Sequence, residues 1–147
     1  MAKTIERSAL VHHSARRMYD LVNDIERYPE FLPWCSDARV HESDEHQLLA
    51  SLEVSKSGVR QSFSTRNRLL APERIAMELV DGPFTQLRGD WHFRALTDEA
   101  CKVTLTLEFS LNGTVARVAF GNVFSQAANT MVDAFCRRAD ALYGRGG

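Results

Sequence analysis

The sequence predicts an α+β domain, in which a curved antiparallel β-sheet wraps around a long C-terminal α-helix and short helical segments follow the first strand. Two changes of period carry this reading. Apolar side chains recur with period two in six successive runs between residues 37 and 111, and from about residue 114 to 143 they recur with the period of a helix. The 147 residues, 44% of them hydrophobic, suffice for one core, so residues 1–147 form a single domain.

The elements follow in chain order. "AKTIERSALV" puts Ile5, Ala9 and Val11 on one alternating face and reads as a first strand. In "SARRMYDLVNDIERY", Ser14 can cap a helix, and Met18, Leu21, Val22 and Ile25 form one apolar stripe. Next comes "YPEFLPWC", residues 28–35, where Pro29 and Pro33 exclude a regular helix or a central strand. Residues 37–44, 47–56, 59–70, 73–80, 84–95 and 101–111 then read as strands. The turn signals between them, such as Ser57-Gly58 and Asp81-Gly82-Pro83, are short enough for a meander. In the last helix Phe120, Val123, Phe124, Ala127, Met131, Ala134, Phe135 and Leu142 share one broad stripe, with Asn122, Gln126, Asn129, Asp133 and Asp140 opposite. The glycines of "YGRGG" end it.

A sheet curled around one helix encloses a space, and two readings of that space fit the residues. In "RQSFSTRNRLL" the inward parity holds Gln61, Phe63, Thr65, Asn67 and Leu69, while Arg60, Ser62, Ser64, Arg66 and Arg68 face out. Buried amides and hydroxyls need partners, so the inner polar groups are either paired within a filled core or turned toward a pocket. Met77, Trp91, Phe124 and Met131 would line such a pocket with Phe63, Phe84 and Phe120, and Gly89 and Ala127 would leave room in it.

Much chemistry is excluded. The 18 basic and 19 acidic residues leave a net charge of −1, so no global field favours DNA, RNA or an anionic membrane, although a local patch remains open. One candidate patch is the row Arg60, Arg66 and Arg68, which is either a solvated face or a partner surface. Cys35, Cys101 and Cys136 read as reduced thiols of a cytoplasmic protein. No secretion signal or membrane span is visible. His12, His13, His41, His46 and His92 are expected at the surface and share no metal-ligand spacing. No catalytic set, phosphate loop or dinucleotide fingerprint occurs, so no enzyme, metal or required cofactor is expected.

"YPEFLPWC", "TRN.L", "LVDGPF" ahead of "W.F", and "FG.VF…M..AF..RA" occur in that order. Together they resemble the branch of the START-like, polyketide cyclase-like superfamily that includes coenzyme Q-binding proteins and bacterial ribosome association toxins. The resemblance implies a helix-grip fold with a deep apolar tunnel and non-enzymatic binding of ubiquinone or a related polyprenyl lipid in support of respiration. It implies that Tyr28, Phe31, Leu32, Pro33 and Trp34 form a lid over the tunnel mouth, with Gln61, Thr65 or Asn67 donating to the quinone. It carries two alternatives. One is a factor that binds the large ribosomal subunit and inhibits subunit association, and the other, less favoured, is a cyclase-like enzyme. Transient contact with the inner membrane is among the partners considered, and DNA is not.

Overall fold

A computed structural model describes residues 3–111 and 113–144, apart from the side chains at 115 and 116. Strand β1 (Lys3–Val11) leads into helix α1 (Ala15–Asn23) and a short 3-10 helix (Ile25–Glu30). Strands β2 (Cys35–Ser43), β3 (Gln47–Lys56), β4 (Val59–Leu70), β5 (Arg74–Asp81), β6 (Phe84–Thr97) and β7 (Ala100–Leu111) follow, and helix α2 (Val115–Tyr143) is the last element among the described residues. The Ser14 side chain accepts from Arg17 N and starts α1. Pro29 lies inside the 3-10 helix, so the proline-rich segment divides: its first residues are helical, residues 31–34 are a turn, and Cys35 opens β2.

The seven strands form one antiparallel sheet in the order β1-β7-β6-β5-β4-β3-β2. Strands β2 to β7 are the expected meander, and β1 closes against β7 with Lys3 opposite Phe109 and Val11 opposite Cys101. The chain must therefore pass from one sheet edge to the other between β1 and β2, and α1 with the 3-10 helix makes that crossing. Ser57 and Gly58, both at positive φ, turn β3 into β4, as a two-residue hairpin requires.

Helix α2 lies across the inner face of the sheet, where Phe120, Phe135 and Ala139 are fully buried. Arg7, on the inner parity of β1, reaches α2 and donates to Asn129 Oδ1 from both Nε and Nη2. Leu142, assigned to the apolar stripe, is instead 51% exposed, although its neighbours Asp140 and Tyr143 still pack against His13. Gly144, at positive φ, donates its N–H to Asp140 O and ends the helix.

Candidate functional site

The space between sheet and helix holds two aromatic clusters. Phe84 meets Phe63, Phe120 and Phe124 edge-on at 4.9–5.4 Å, and Phe109 meets Phe124 at 4.8 Å. At the other end Tyr28, Phe31, Trp91 and Phe135 form a second set with centroids 5.2–6.2 Å apart. Such edge contacts contribute about 0.5–1.5 kcal/mol each beyond the area they bury.

An apolar cavity lies between the clusters. Phe63 and Phe124 wall one end, and Tyr28, Trp34 and Trp91 wall the other. Met77, Leu105, Leu107 and Met131 line its sides, and Ala127 and Ala128 present the helix. Its volume is about 60 Å³. Ligand pockets usually measure about 300–1,000 Å³, so this is a pocket for a few atoms rather than a deep tunnel. The structure gives the reason. Met77 and Leu107 extend into the space over Gly89, and the phenylalanine cluster fills the rest.

The expected pocket residues separate accordingly. Tyr28, Trp34, Phe63, Met77, Trp91, Phe124 and Met131 line the cavity, as do Thr65 and Asn67. Phe84 and Phe120 do not; they are packed within the phenylalanine cluster. Gln61 is half-buried near the β3–β4 turn, beyond the cavity. Leu32, 1% exposed, is core beneath the turn rather than a lid. Phe31 and Pro33 face a groove on the outer side of Trp34. The segment is thus mainly a plug, and Trp34 alone of its residues borders both cavity and groove.

Polar chemistry in the cavity is sparse. Thr65 Oγ1 donates to Asn67 Oδ1 at 2.9 Å, which leaves the Asn67 amide N–H groups free of that bond. Tyr28 donates its hydroxyl to Val22 O, and burial pushes its pKa above the ordinary phenol value. Trp34 Nε1 is buried without a partner. Among the described residues the wall carries no carboxylate, imidazole, amine or thiol, and no cluster of three metal-ligating side chains occurs anywhere.

The outer face adds detail to a second expectation. Arg60, Arg66 and Arg68 do face solvent, and carboxylates are set among them. Arg66 stands opposite Glu78, which also faces Arg88, which in turn faces Glu108. Arg60 lies 3.8 Å from Glu53, and Arg74 lies 2.7 Å from Asp90. Register thus sets carboxylates beside Arg66 and Arg88, while Arg68 stands between Gln47 and Ala76. His13 departs from its expected place. It is 2% exposed rather than superficial, with Nε2 2.8 Å from Asp140 Oδ1.

A curved antiparallel sheet gripping a C-terminal helix around an apolar cavity defines a helix-grip, START-like domain. The chain belongs to the family described as polyketide cyclase / dehydrase and lipid transport, whose model matches residues 11–136, and within it to the branch that includes ribosome association toxins. It is 52% identical over 144 residues to the protein named ribosome association toxin RatA of Pseudomonas aeruginosa, covering 98% of this chain and 100% of that one. It is 25% identical over 149 residues to the mitochondrial coenzyme Q-binding protein COQ10 of Dictyostelium discoideum, covering 96% of this chain and 71% of that one. Among solved structures, the Zhui aromatase/cyclase from Streptomyces sp. R1128 superposes with a TM-score of 0.84 at 16% identity over the whole of both chains, a likeness of fold alone. No described helix is long and apolar enough to cross a membrane.

Proposed function

We propose that this protein acts on the ribosome: it binds the large subunit and opposes its joining to the small one. The observation that carries this reading is the end-to-end match, at 52% identity, to a relative named for ribosome association. The narrow cavity adds support, because about 60 Å³ suits a packed scaffold better than a carrier of long lipids. A net charge of −1 means that contact with RNA relies on a local surface rather than a global field. The test is sedimentation of purified protein with ribosomal subunits under conditions that allow them to join. The expected result is protein travelling with the large subunit and a smaller peak of joined ribosomes. Protein left at the top of the gradient, with the peak unchanged, would overturn the reading.

A second reading is favoured by one observation, the Thr65–Asn67 pair set in an otherwise apolar wall. An amide donor beside aromatic rings suits the carbonyl of a quinone-type ring, and the coenzyme Q-binding relative points the same way. The ring would have to push Met77 and Met131, flexible side chains, aside. Organic extraction of the purified protein followed by mass spectrometry tests it. A near-stoichiometric quinone supports it, and an empty extract with no uptake of added quinone rejects it.

A further inference from the structure

We propose that the groove between the Phe31–Trp34 turn and the C-terminal half of α2 is a binding site for single-stranded RNA. The inference rests on the ribosomal reading and names the surface and the ligand chemistry through which it operates. The groove measures about 630 Å³, some ten times the internal cavity. Phe31, Pro33 and Trp34 form one wall; Lys56, Arg137 and Arg138 supply its charge.

Three features fit RNA. The first is unspent positive charge. Lys56 and Arg137 are exposed, and neither makes an ion pair among the described residues. Arg66 and Arg68 on the outer sheet face are exposed too, but Glu78 and Glu108 stand among the arginines there, whereas among the described residues no carboxylate lines the groove. Lys56 is held beside the turn, because Ser55 donates its N–H to Trp34 O at 2.8 Å.

The second is a fixed planar cation. The Arg138 guanidinium lies 4.9 Å over the Phe31 ring, and its Nη2 donates to Glu30 Oε1 at 2.6 Å. Bases splayed from a single strand stack on such guanidinium planes and on aromatic rings, while phosphates meet flexible lysines and arginines. Gln126 and Thr130, also on the helix wall, suit sugar hydroxyls and base edges.

The third is a pair of buried donors without acceptors, Trp34 Nε1 and Arg138 Nε, both on residues of this groove. An unpartnered buried donor is a standing cost, and small shifts of Trp34 and Arg138 toward the groove would let an acceptor there relieve it. A membrane surface fits less well. The large exposed apolar residues, among them Leu10, Leu70 and Leu96, all lie outside the groove, so nothing protrudes there to enter lipid.

The experiment measures fluorescence anisotropy of a labelled single-stranded RNA of about eight nucleotides, a length within the range of such sites. Two double variants of equal charge loss are compared, Lys56→Ala with Arg137→Ala and Arg66→Ala with Arg68→Ala. All four positions are exposed, and melting temperature checks that each fold is intact. The groove pair is expected to weaken binding at least about tenfold and to flatten the salt dependence by about 1.4 in slope, two phosphate contacts' worth. The sheet pair is expected to change affinity by less than about threefold, as distant positions do. Equal losses in both pairs, or no binding by the unaltered protein, would overturn the groove. Sedimentation separates this from the parent reading. If the unaltered protein and the groove pair both travel with ribosomes, the groove is rejected and the ribosomal role stands. If neither travels but RNA binding tracks the groove, the ribosomal role falls and the RNA site stands. Loss of sedimentation in the groove pair without loss of RNA binding would place a ribosomal protein in the groove and reject RNA.

Discussion

Met77 occupies the space that Gly89 vacates. The two residues stand opposite each other on β5 and β6, and a Cβ built on Gly89 would lie 2.5 Å from Met77 Cε and 2.7 Å from Leu107 Cδ2. Both neighbours are the free ends of flexible side chains, and the cavity lies beyond them. Gly89→Ala should therefore be tolerated, at a cost below about 1.5 kcal/mol, because Met77 can swing into the open volume. Urea denaturation measures this. A loss above about 3 kcal/mol would mean that the wall cannot repack.

Trp34 separates the cavity from the groove. Truncating a buried Trp costs about 3–5 kcal/mol, and because Trp34 Nε1 makes no bond in the protein the lower end is expected. Trp34→Ala should also join the two spaces, so that an apolar dye shows new fluorescence with the folded variant. Destabilisation without dye binding would show that the turn collapses to fill the gap.

Asp140 is the partner of buried His13, and His13 Nδ1 has none. Asp140→Ala should destabilise the fold by about 1–3 kcal/mol through the unsatisfied ring, whereas Asp140→Asn, which keeps an oxygen at the same place, should recover most of it. Thermal melts of both variants decide the matter; equal losses would mean that the negative charge, not the hydrogen bond, is what counts.

Burial pushes all three thiols, Cys35, Cys101 and Cys136, up to about 11. At about pH 8 roughly one in a thousand is then ionised, so alkylation of the folded protein should be about a hundredfold slower than that of the unfolded chain. The sign for stability follows. The native state holds these protons above the ordinary thiol value of 9.0, so the contribution is constant below that value and is lost as pH rises from about 9 to 11. Tyr28, raised for the same reason, acts in the same direction. Melting temperature should accordingly fall on titrating above about pH 9. A flat profile to pH 11 would contradict the burial of these groups.

What the sequence disclosed was local. The alternation in β4 correctly separated Phe63, Thr65, Asn67 and Leu69 from the outward arginines, and Ser14 caps the helix it was expected to cap. What it hid depends on partners distant along the chain. The gap at Gly89 looks empty until Met77 and Leu107 arrive from neighbouring strands. The arginine row looks positive until register sets Glu78 and Glu108 among the arginines. His13 looks superficial because its partner is 127 positions away. The groove escaped notice for the same reason: Lys56 comes from a hairpin and Arg137 from the last helix, and no spacing links them.

The pairing of β1 with β7 bears on how the chain acquires its structure. Lys3 finds Phe109 only after strands β2 to β6 and most of β7 have been made, and α2, which completes the core, comes later still. Contacts so remote slow folding, because a long loop must close before it is rewarded. During synthesis the first strand waits as an unpaired edge, and the growing meander has no helix to cover it. Until α2 is made the inner face of the sheet stays uncovered, so a chain that has not reached it lacks the groove wall that the helix supplies.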